Sequence, residues 1–409
     1  MSTDIIKTAD AVFAQTYKRF PVVIEKGRGA TLWDTEGRSY TDFVAGIAVC
    51  NLGHAHPAVN RALAVQMEKL YHVSNLYYTV PQTELAAKLV KHSFADRAFF
   101  CNSGAEANEA AIKLARKYFS DRGETGRHVI LSAAQSFHGR TMATLSATGQ
   151  EKIRKGFDPI LPGFDFVPFD DLAALQARMD ATVCAVMLEP IQGEGGVNCP
   201  TEGYLARVRE LCDRHGALLI FDEIQTGMGR TGKLFAYEHF GVQPDIMTLA
   251  KALANGLPMG AMLATDPAFH YPIPPTRLKG YHMFGPGAHA STFGGTPIVT
   301  AAALATLTLM LTEKIPDLAA ETGTYFRDRL AALVDKHPMA TDVRGMGLLL
   351  ALELDRPAAP VVDACLEKGF LINCVQEKRL RFVPPLTITR GEIDDLISCL
   401  DEVFSDQEK

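Results

Sequence analysis

Short apolar runs alternate with helical stretches through the middle of the chain. The stretches between the runs carry apolar residues at intervals of three or four positions, which is typical of helices. Continuous apolar strands separated by helices predict a mostly parallel sheet with both faces covered. The predicted strands are residues 98–101, 129–132, 183–188, 218–221, 246–250 and 261–264, and two of the helices between them are residues 106–119 and 204–215.

The two ends of the chain follow a different pattern. Residues 22–46 alternate apolar and polar positions around glycine-containing turns, which predicts a small antiparallel meander. A long apolar helix is predicted at residues 298–311. The elements predicted after it are strands at residues 343–354, 370–374 and 380–384 and a closing helix at residues 391–404.

We therefore predict an α/β protein with one large domain and a smaller α+β domain. The large domain spans residues 61–310, the small domain spans residues 311–409, and residues 1–60 contribute to the small domain. A chain of 409 residues is long enough for both domains. Hydrophobic residues make up 47% of the chain and charged residues 22%, which excludes disordered, coiled-coil and collagen-like classes.

The net charge and the cysteine content indicate which classes of molecule the protein binds and where in the cell it works. A net charge of −6 argues against a dedicated nucleic-acid binder, and the longest apolar stretch, residues 296–311, is too short to span a membrane. We expect small-molecule partners, with no nucleic acid and no membrane. Residues 1–10 lack a secretory signal, and the 8 cysteines include no C-x-x-C pair, which predicts a cytoplasmic protein. His54 and His56 have no third ligand nearby in the sequence, so we expect no metal site.

Polar residues directly after the apolar runs are candidates for chemistry, because ligands bind at the carboxyl ends of parallel strands. At residues 101–107 small residues begin a helix, and free backbone N–H groups with the Ser103 hydroxyl could hold an anion. The alternative is an ordinary N-cap, since Ser103 and Glu106 also match a capping box. At residues 137–141 the ring of Phe137 could stack on a ligand, and the guanidinium of Arg140 could bind a carboxylate. Taken singly, each residue could equally have an ordinary structural role.

Two further junctions place charged residues at strand ends. The run 218–221 leads into Asp222 and Glu223, and carboxylates there either meet a cation or lie in solvent. Residues 227–232 match G-x-G-x-x-G, but five residues separate the strand from the first glycine, which argues against a dinucleotide fold. Lys251 ends another apolar run. On the protein surface Lys251 would be an ordinary solvated lysine. In a cleft its pKa would fall, and its amine could form a Schiff base.

Combined, these segments resemble one family, the class III pyridoxal-phosphate aminotransferases, which have pyridoxal-phosphate transferase fold type I. The resemblance covers nearly the whole chain and implies a large domain with a mostly parallel, seven-stranded type of sheet. Residues 73–77, VSNLY, look most like the acetylornithine aminotransferases of arginine biosynthesis. The shared motifs are NSGAEAN at residues 102–108, FHGRT at 137–141, EPIQGEGG at 189–196, DEIQTG at 222–227, Lys251 and STFGG at 291–295.

The resemblance implies that the cofactor is pyridoxal 5′-phosphate and assigns its contacts. Lys251 would bind the cofactor aldehyde and shuttle the proton during the reaction, while Asp222 would keep the ring nitrogen protonated. Thr292 would reach the phosphate of the neighbouring subunit, which implies a homodimer with shared active sites. The other expected cofactor contacts are Ser103, Gly104 and Ala105 at the phosphate, Phe137 stacked on the ring, Gln225 at the phenolic oxygen, and Glu223 and Ile224.

The resemblance also assigns substrate contacts. Arg140 would bind the α-carboxylate of a donor whose distal amine reacts, and Arg381 would bind the α-carboxylate of glutamate or 2-oxoglutarate. Glu194 would pair with Arg381 in the other half-reaction, and Ser291 is assigned to the same substrate pocket. The implied reaction transfers the distal amino group of N2-acetyl-L-ornithine to 2-oxoglutarate in arginine biosynthesis.

Several features leave alternatives open. Residues 278–290 and 296–297 depart from the family's usual sequence, which affects the mouth of the substrate pocket, where Tyr17 and Asn75 are further candidates. Other class III donors are succinylornithine, ornithine, 4-aminobutyrate and succinyldiaminopimelate. A different class is a pyridoxal-phosphate aminomutase, which needs no external keto acid. The hypothesis of a non-catalytic or dinucleotide-binding protein is supported by the glycine run alone.

Overall fold

Three β-sheets organise the chain, and the largest of them comes from its middle. The computed structural model describes residues 2–266 and 285–408. The strands are β1 (Ile24–Arg28), β2 (Thr31–Asp34), β3 (Ser39–Asp42), β4 (Arg97–Cys101), β5 (Val129–Ala133), β6 (Phe164–Val167), β7 (Val183–Leu188), β8 (Leu218–Asp222), β9 (Ile246–Leu249), β10 (Gly260–Ala264), β11 (Ala340–Met346), β12 (Leu349–Leu354), β13 (Phe370–Leu371), β14 (Asn373–Val375) and β15 (Arg379–Phe382).

Helices cover both the central sheet and the C-terminal part of the chain. Helix Gly104–Asp121 packs a small-residue face, which includes Ala107 and Ala111, close to the central sheet. The helices are Ser2–Val12, Ala45–Ala48, Pro57–Met67, Val80–Lys91, Gly104–Asp121, Met142–Ala147, Glu151–Arg154, Leu172–Arg178, Tyr204–His215, Tyr237–Phe240, the 3₁₀ turn Lys251–Ala254, Pro297–Thr312, Ile315–Lys336, Ala359–Glu367 and Arg390–Gln407.

The central sheet has the strand order β4-β10-β9-β8-β7-β5-β6. β10 runs antiparallel to β4 and β9, and the other neighbours are parallel. All residues of β7 and β8 are buried, which explains why they read as continuous apolar runs. The predicted α/β class with a mostly parallel, seven-stranded sheet is confirmed. β6 lies outside the predicted strands, because the polar Asp165 interrupts its apolar run at the sheet edge.

Two smaller sheets use the ends of the chain. The predicted meander is confirmed as β1-β2-β3, and β13 adds to it in parallel with β3. The sheet β11-β12-β15-β14, which we call the C-terminal sheet, is antiparallel throughout. The start and the end of the chain therefore share one sheet, while the domain boundaries remain a prediction.

Two predicted strands of the C-terminal region are wrong, because each is divided into two strands in the structure. Residues 343–354 form two strands, β11 and β12, because Gly347, with a φ of +56°, turns the chain back on itself. Residues 370–374 are divided between β13 and β14, which belong to different sheets. The long helix Ile315–Lys336, which contains Gly323, was not predicted.

Gly323 lies directly against the turn between β11 and β12. A Cβ added at Gly323 would lie 2.1 Å from the carbonyl oxygen of Gly347. Gly323→Ala should therefore destabilise the protein by about 2 kcal/mol, although alanine has the higher helix propensity. At Gly391 a Cβ would meet its nearest atom at 4.0 Å, so Gly391→Ala serves as the control. Thermal unfolding checks the pair, and a midpoint for Gly323→Ala at or above wild type would contradict the expectation.

Among the described residues, no single helix is both long and apolar enough to cross a membrane. The consecutive helices Pro297–Thr312 and Ile315–Lys336, bent by 66° at their junction, meet the length and composition criteria only as a pair.

Candidate active site

The active-site candidate is a cavity at the carboxyl edge of the central sheet. β4 and β9 are parallel, since both are antiparallel to β10, so β4, β5, β7, β8 and β9 end at the same edge. A cavity of about 430 Å³ lies at this edge. The sequence-predicted residues that line it are Ser103, Gly104, Ala105, Phe137, Arg140, Glu194, Asp222, Ile224, Gln225 and Lys251.

Asp222 ends β8 with its carboxylate buried and fixed by three donors. Oδ2 accepts from Asn108 Nδ2 at 2.7 Å and lies 2.8 Å from His138 Nδ1. Oδ1 accepts from the backbone N–H of Ile224 at 3.0 Å. Asp222 is 3% exposed and lines the cavity.

A second layer of polar residues orients these donors. Asn108 accepts at Oδ1 from the Thr248 hydroxyl at 2.7 Å, which fixes its amide so that Nδ2 points at Asp222. His138 Nε2 lies 3.1 Å from the Ser132 hydroxyl, which leaves Nδ1 for Asp222. Asn108 and His138 were not singled out from the sequence. Both residues lie within shared motifs, but each motif has other polar residues, and no feature of the sequence marks these two as partners of Asp222.

Lys251 follows β9 and begins the 3₁₀ turn Lys251–Ala254 with a φ of +46°. This left-handed backbone is unfavourable for a side chain with a Cβ, and such strain concentrates at functional sites. Burial lowers the pKa of the Lys251 ammonium, while the nearby Glu194 and Asp222 carboxylates oppose that shift. A larger fraction of Lys251 is therefore neutral and nucleophilic at a given pH than for a surface lysine.

The start of helix Gly104–Asp121 lies at the other end of the cavity. Ser103 Oγ accepts from the Glu106 backbone N–H at 3.2 Å, so the N-cap interpretation holds. The first turn of a helix leaves backbone N–H groups without intrahelical acceptors, and those of Gly104 and Ala105 are at the cavity. Gly104 has no room for a Cβ, which would lie 2.8 Å from Ile224 Cδ1. The cap and the anion cradle are compatible.

Phe137 and Arg140 lie on the loop after β5. The Arg140 guanidinium is exposed and lies 5.5 Å from the centre of the Phe137 ring. The backbone N–H of Phe137 donates to Glu189 Oε2, and Glu189 Oε1 accepts from the Gly193 N–H, each at 3.1 Å. Burial raises the pKa of Glu189 to about 7. Glu189, which had no predicted role, therefore joins the Phe137 loop to the loop that carries Glu194.

Glu194 and Arg381 form an ion pair beside Lys251. Arg381 Nη1 donates to Glu194 Oε1 at 2.5 Å and to Gln225 Oε1 at 3.3 Å. Burial by itself raises the pKa of Glu194, but Arg381 outweighs it and holds that pKa below its usual range. Arg381 is 1% exposed, and Asn373, its cross-strand neighbour on β14, packs against its guanidinium.

The structure does not bring every predicted residue into the cavity. The Glu223 carboxylate points away from it and accepts from the backbone N–H groups of Ala236 and Tyr237, so a cofactor contact through this side chain is not supported. Ser291 and Thr292 line a separate surface depression, where Ser291 Oγ accepts from Asn102 Nδ2 at 3.0 Å. Residues 278–284 of the unusual stretch lie outside the described residues.

The glycine run after β8 has a structural role. Arg230 within it is fully buried and donates to the carbonyls of Leu348 at 2.9 Å and Pro384 at 2.6 Å. It also donates to Asn51 Oδ1 at 2.5 Å. The run thus joins the loop after β8 to the C-terminal sheet, and nothing in its geometry resembles a dinucleotide site.

Residues 12–404 match the family model of the class III aminotransferases. The chain belongs to this family. It is 50% identical over 392 residues to the acetylornithine aminotransferase of Caldanaerobacter subterraneus subsp. tengcongensis, covering 96% of each chain. It is 48% identical over 396 residues to the acetylornithine aminotransferase of Methanocaldococcus jannaschii, covering 97% of this chain and 96% of the relative.

Solved structures agree with this assignment. The ornithine aminotransferase of Toxoplasma gondii ME49 superposes with a TM-score of 0.93 at 36% identity, covering 100% of this aminotransferase and 96% of that chain. The acetylornithine aminotransferase of Elizabethkingia anophelis gives a TM-score of 0.85 at 33% identity, covering 99% of both chains.

As a class III enzyme, this aminotransferase uses pyridoxal 5′-phosphate, and the cavity residues fit that cofactor. Lys251 offers an amine with a lowered pKa for the aldehyde, and Asp222 offers a buried carboxylate for the ring nitrogen. The start of helix Gly104–Asp121 offers N–H donors for the phosphate. Phe137 and Ile224 supply apolar surface in the same cavity.

Proposed function

We propose that this aminotransferase transfers the distal amino group of N2-acetyl-L-ornithine to 2-oxoglutarate, giving N-acetylglutamate 5-semialdehyde and glutamate. The observation that carries the proposal is the contrast between two arginines: Arg140 is exposed at the cavity, whereas Arg381 is buried and paired with Glu194. The names of the relatives at 48–50% identity support the same reaction.

The two arginines suit the two half-reactions. Acetylornithine has a single free α-carboxylate, far from its reacting amine, and Arg140 would hold it at the cavity rim. 2-Oxoglutarate has a carboxylate directly beside its reacting carbonyl, and Arg381 would hold it once Glu194 releases the guanidinium. During the first half-reaction the pairing with Glu194 avoids an uncompensated buried cation.

The remaining residues manage the proton and the charge. When bound, pyridoxal phosphate supplies a carbonyl for the substrate amine and a ring that accepts the electron pair left when a proton leaves the reacting carbon. Lys251 would take that proton on its Nζ and give it back later in the same half-reaction. Asp222, held by Asn108 and His138, would keep a proton on the ring nitrogen.

A homodimer with shared active sites is part of the proposal. Its support is an apolar surface groove of about 900 Å³ formed by helices Pro57–Met67, Val80–Lys91 and Pro297–Thr312. Large apolar side chains near this groove are exposed, with Tyr78 at 100% and Val80 at 70%. Thr292 is also exposed, outside the cavity of its own chain, as a contact to a partner's phosphate requires.

We also propose that the enzyme works in the cytoplasm. All eight cysteines are free thiols, and Cys365 and Cys399 remain unlinked with their sulfurs 3.9 Å apart.

A panel of amine donors in single turnover tests the proposed reaction. Holoenzyme is mixed with each donor, and conversion of the bound cofactor to pyridoxamine phosphate is followed by its visible absorbance. We expect acetylornithine to give the highest kcat/KM, above ornithine, succinylornithine, 4-aminobutyrate and succinyldiaminopimelate. A higher kcat/KM for another donor would identify that donor as the substrate in place of acetylornithine. Regeneration of pyridoxal phosphate without an added keto acid would favour an aminomutase.

Glu194→Ala should shift donor preference toward α-amino acids. Without its partner, Arg381 is permanently available to the α-carboxylate of glutamate, so the ratio of kcat/KM for acetylornithine over glutamate should fall at least about tenfold. Half-reaction kinetics with each donor measure this ratio. An unchanged ratio would contradict the exchange of partners between Glu194 and Arg381.

A further inference from the structure

The backbone of the turn that carries Glu194 is held by side chains of the C-terminal sheet. Three consecutive carbonyl groups of this turn each accept a hydrogen bond from a different side chain. The bonds are Gln376 Nε2 to Glu194 O at 3.0 Å, Arg379 Nη1 to Gly195 O at 3.0 Å and Arg344 Nε to Gly196 O at 3.2 Å. None of these three donors lines the cavity.

Two of the three donors, Arg344 and Arg379, come from the same sheet face as Arg381. Arg379 and Arg381 are two positions apart on β15, so their side chains share a face. Glu353 on β12 is directly opposite Arg379. Its carboxylate accepts from Arg379 Nε at 3.2 Å and also pairs with Arg344. One carboxylate thus orients both guanidinium groups toward the turn.

The turn is shaped to receive these groups. Gly196 has a φ of +113°, and a Cβ there would lie 2.0 Å from Arg379 Nη1. A Cβ at Gly193 would lie 2.0 Å from Gln225 Oε1. The N–H of Gly193 is meanwhile bound by Glu189, so the turn is held from both sides. The backbone of the turn is therefore fixed, and the Glu194 carboxylate that it carries accepts from Arg381 Nη1.

We propose that Arg344, Gln376 and Arg379, oriented by Glu353, form a carbonyl clamp that sets how strongly Glu194 competes with substrate for Arg381. The inference rests on the proposed function. The clamp fixes the Glu194 backbone at the distance from which its carboxylate reaches Arg381 by side-chain rotation alone. Its members are positioning residues that control selectivity between distal-amine donors and glutamate.

Arg379→Gln tests the clamp, and Lys378→Gln is its matched control. Both variants lose one positive charge from the same hairpin, but Lys378 Nζ donates to the Asp355 carbonyl and not to the turn. In Arg379→Gln the ratio of kcat/KM for acetylornithine over glutamate should fall about fivefold, as expected from losing one net hydrogen bond. The change should come mainly from a lower KM for glutamate. In Lys378→Gln the ratio should stay at the wild-type value.

Gln376→Asn provides a second variant if Arg379→Gln does not fold. Asparagine tolerates the φ of +51° at this position, but its amide is one methylene too short to reach the Glu194 carbonyl. This variant should also lower the ratio. A ratio within twofold of wild type in either folded clamp variant would overturn the proposal.

The double variant with Glu194→Ala separates the clamp from the proposed reaction. If the clamp acts through Glu194, then Arg379→Gln should leave the ratio of the Glu194→Ala enzyme unchanged. A further fall in that background would overturn the clamp. If Glu194→Ala itself leaves the ratio unchanged, the proposed exchange fails. If Glu194→Ala alters the ratio but Arg379→Gln does not, the clamp alone is wrong.

Discussion

Lys251→Ala should reduce turnover by about 10⁴-fold while the protein stays folded and still binds pyridoxal phosphate, because one amine both anchors the cofactor and moves the proton. The remaining cofactor contacts do not involve Lys251. The groups expected to hold the cofactor without it are the N–H groups at Gly104 and Ala105, the Asp222 carboxylate and the apolar surfaces of Phe137 and Ile224, all of which line the cavity. Cofactor binding should therefore weaken but persist.

The measurement pairs steady-state turnover with cofactor content after gel filtration. Lys233→Ala is the control, since Lys233 is an exposed lysine on the loop between β8 and β9 and does not line the cavity. A small added amine should restore part of the rate in Lys251→Ala, because it can enter the space left by the side chain and carry the proton. Wild-type turnover by the purified Lys251→Ala protein would remove Lys251 from the mechanism.

Strand ends were predictable from the sequence because buried parallel strands are continuous apolar runs. β7 has the predicted bounds, and β8 is one residue longer than predicted. Asp222 and Lys251 stand out because a charge follows directly on such a run. The rule that ligands bind at the carboxyl edge then brings residues far apart in the sequence into one cavity.

Side-chain direction was less predictable than strand position. Asp222 and Glu223 are adjacent, yet one carboxylate faces the cavity and the other caps backbone N–H groups behind it. Successive residues at a strand end point to opposite sides, and the sequence does not say which side is the cavity. Burial raises the pKa of Glu223 to about 7, so its environment is perturbed although it is outside the site.

Partners of buried polar groups were the least predictable part of the site. Asn108 and His138 meet at Asp222 from helix Gly104–Asp121 and from the loop after β5, and no local pattern joins these segments. The hydrogen bonds that Glu189 accepts from Phe137 and Gly193 likewise depend on the position of β7 between β5 and β8. Such contacts are set by tertiary structure, whereas the motifs identify only the chain segments involved.

Asp222→Asn should lower the rate by roughly 10²- to 10³-fold while cofactor occupancy changes little, because charge and not shape is lost. The amide oxygen of the variant side chain can take the place of Oδ2 and keep the donors Asn108 and His138. Its NH₂ group then takes the place of Oδ1 in the cavity, and the hydrogen bond from the Ile224 N–H is lost. An amide nitrogen cannot hold a proton on the ring nitrogen, so the ring becomes a poorer acceptor of the electron pair.

Exchange of the reacting-carbon proton of bound substrate with solvent isolates this step. The exchange rate should fall with turnover in Asp222→Asn, whereas cofactor content stays near that of the wild type. Glu223→Gln is the control, because it makes the same carboxylate-to-amide change at the neighbouring residue, whose side chain does not line the cavity. It should lower thermal stability and leave exchange per bound cofactor unchanged. Exchange at the wild-type rate in Asp222→Asn would show that the ring nitrogen does not need this carboxylate.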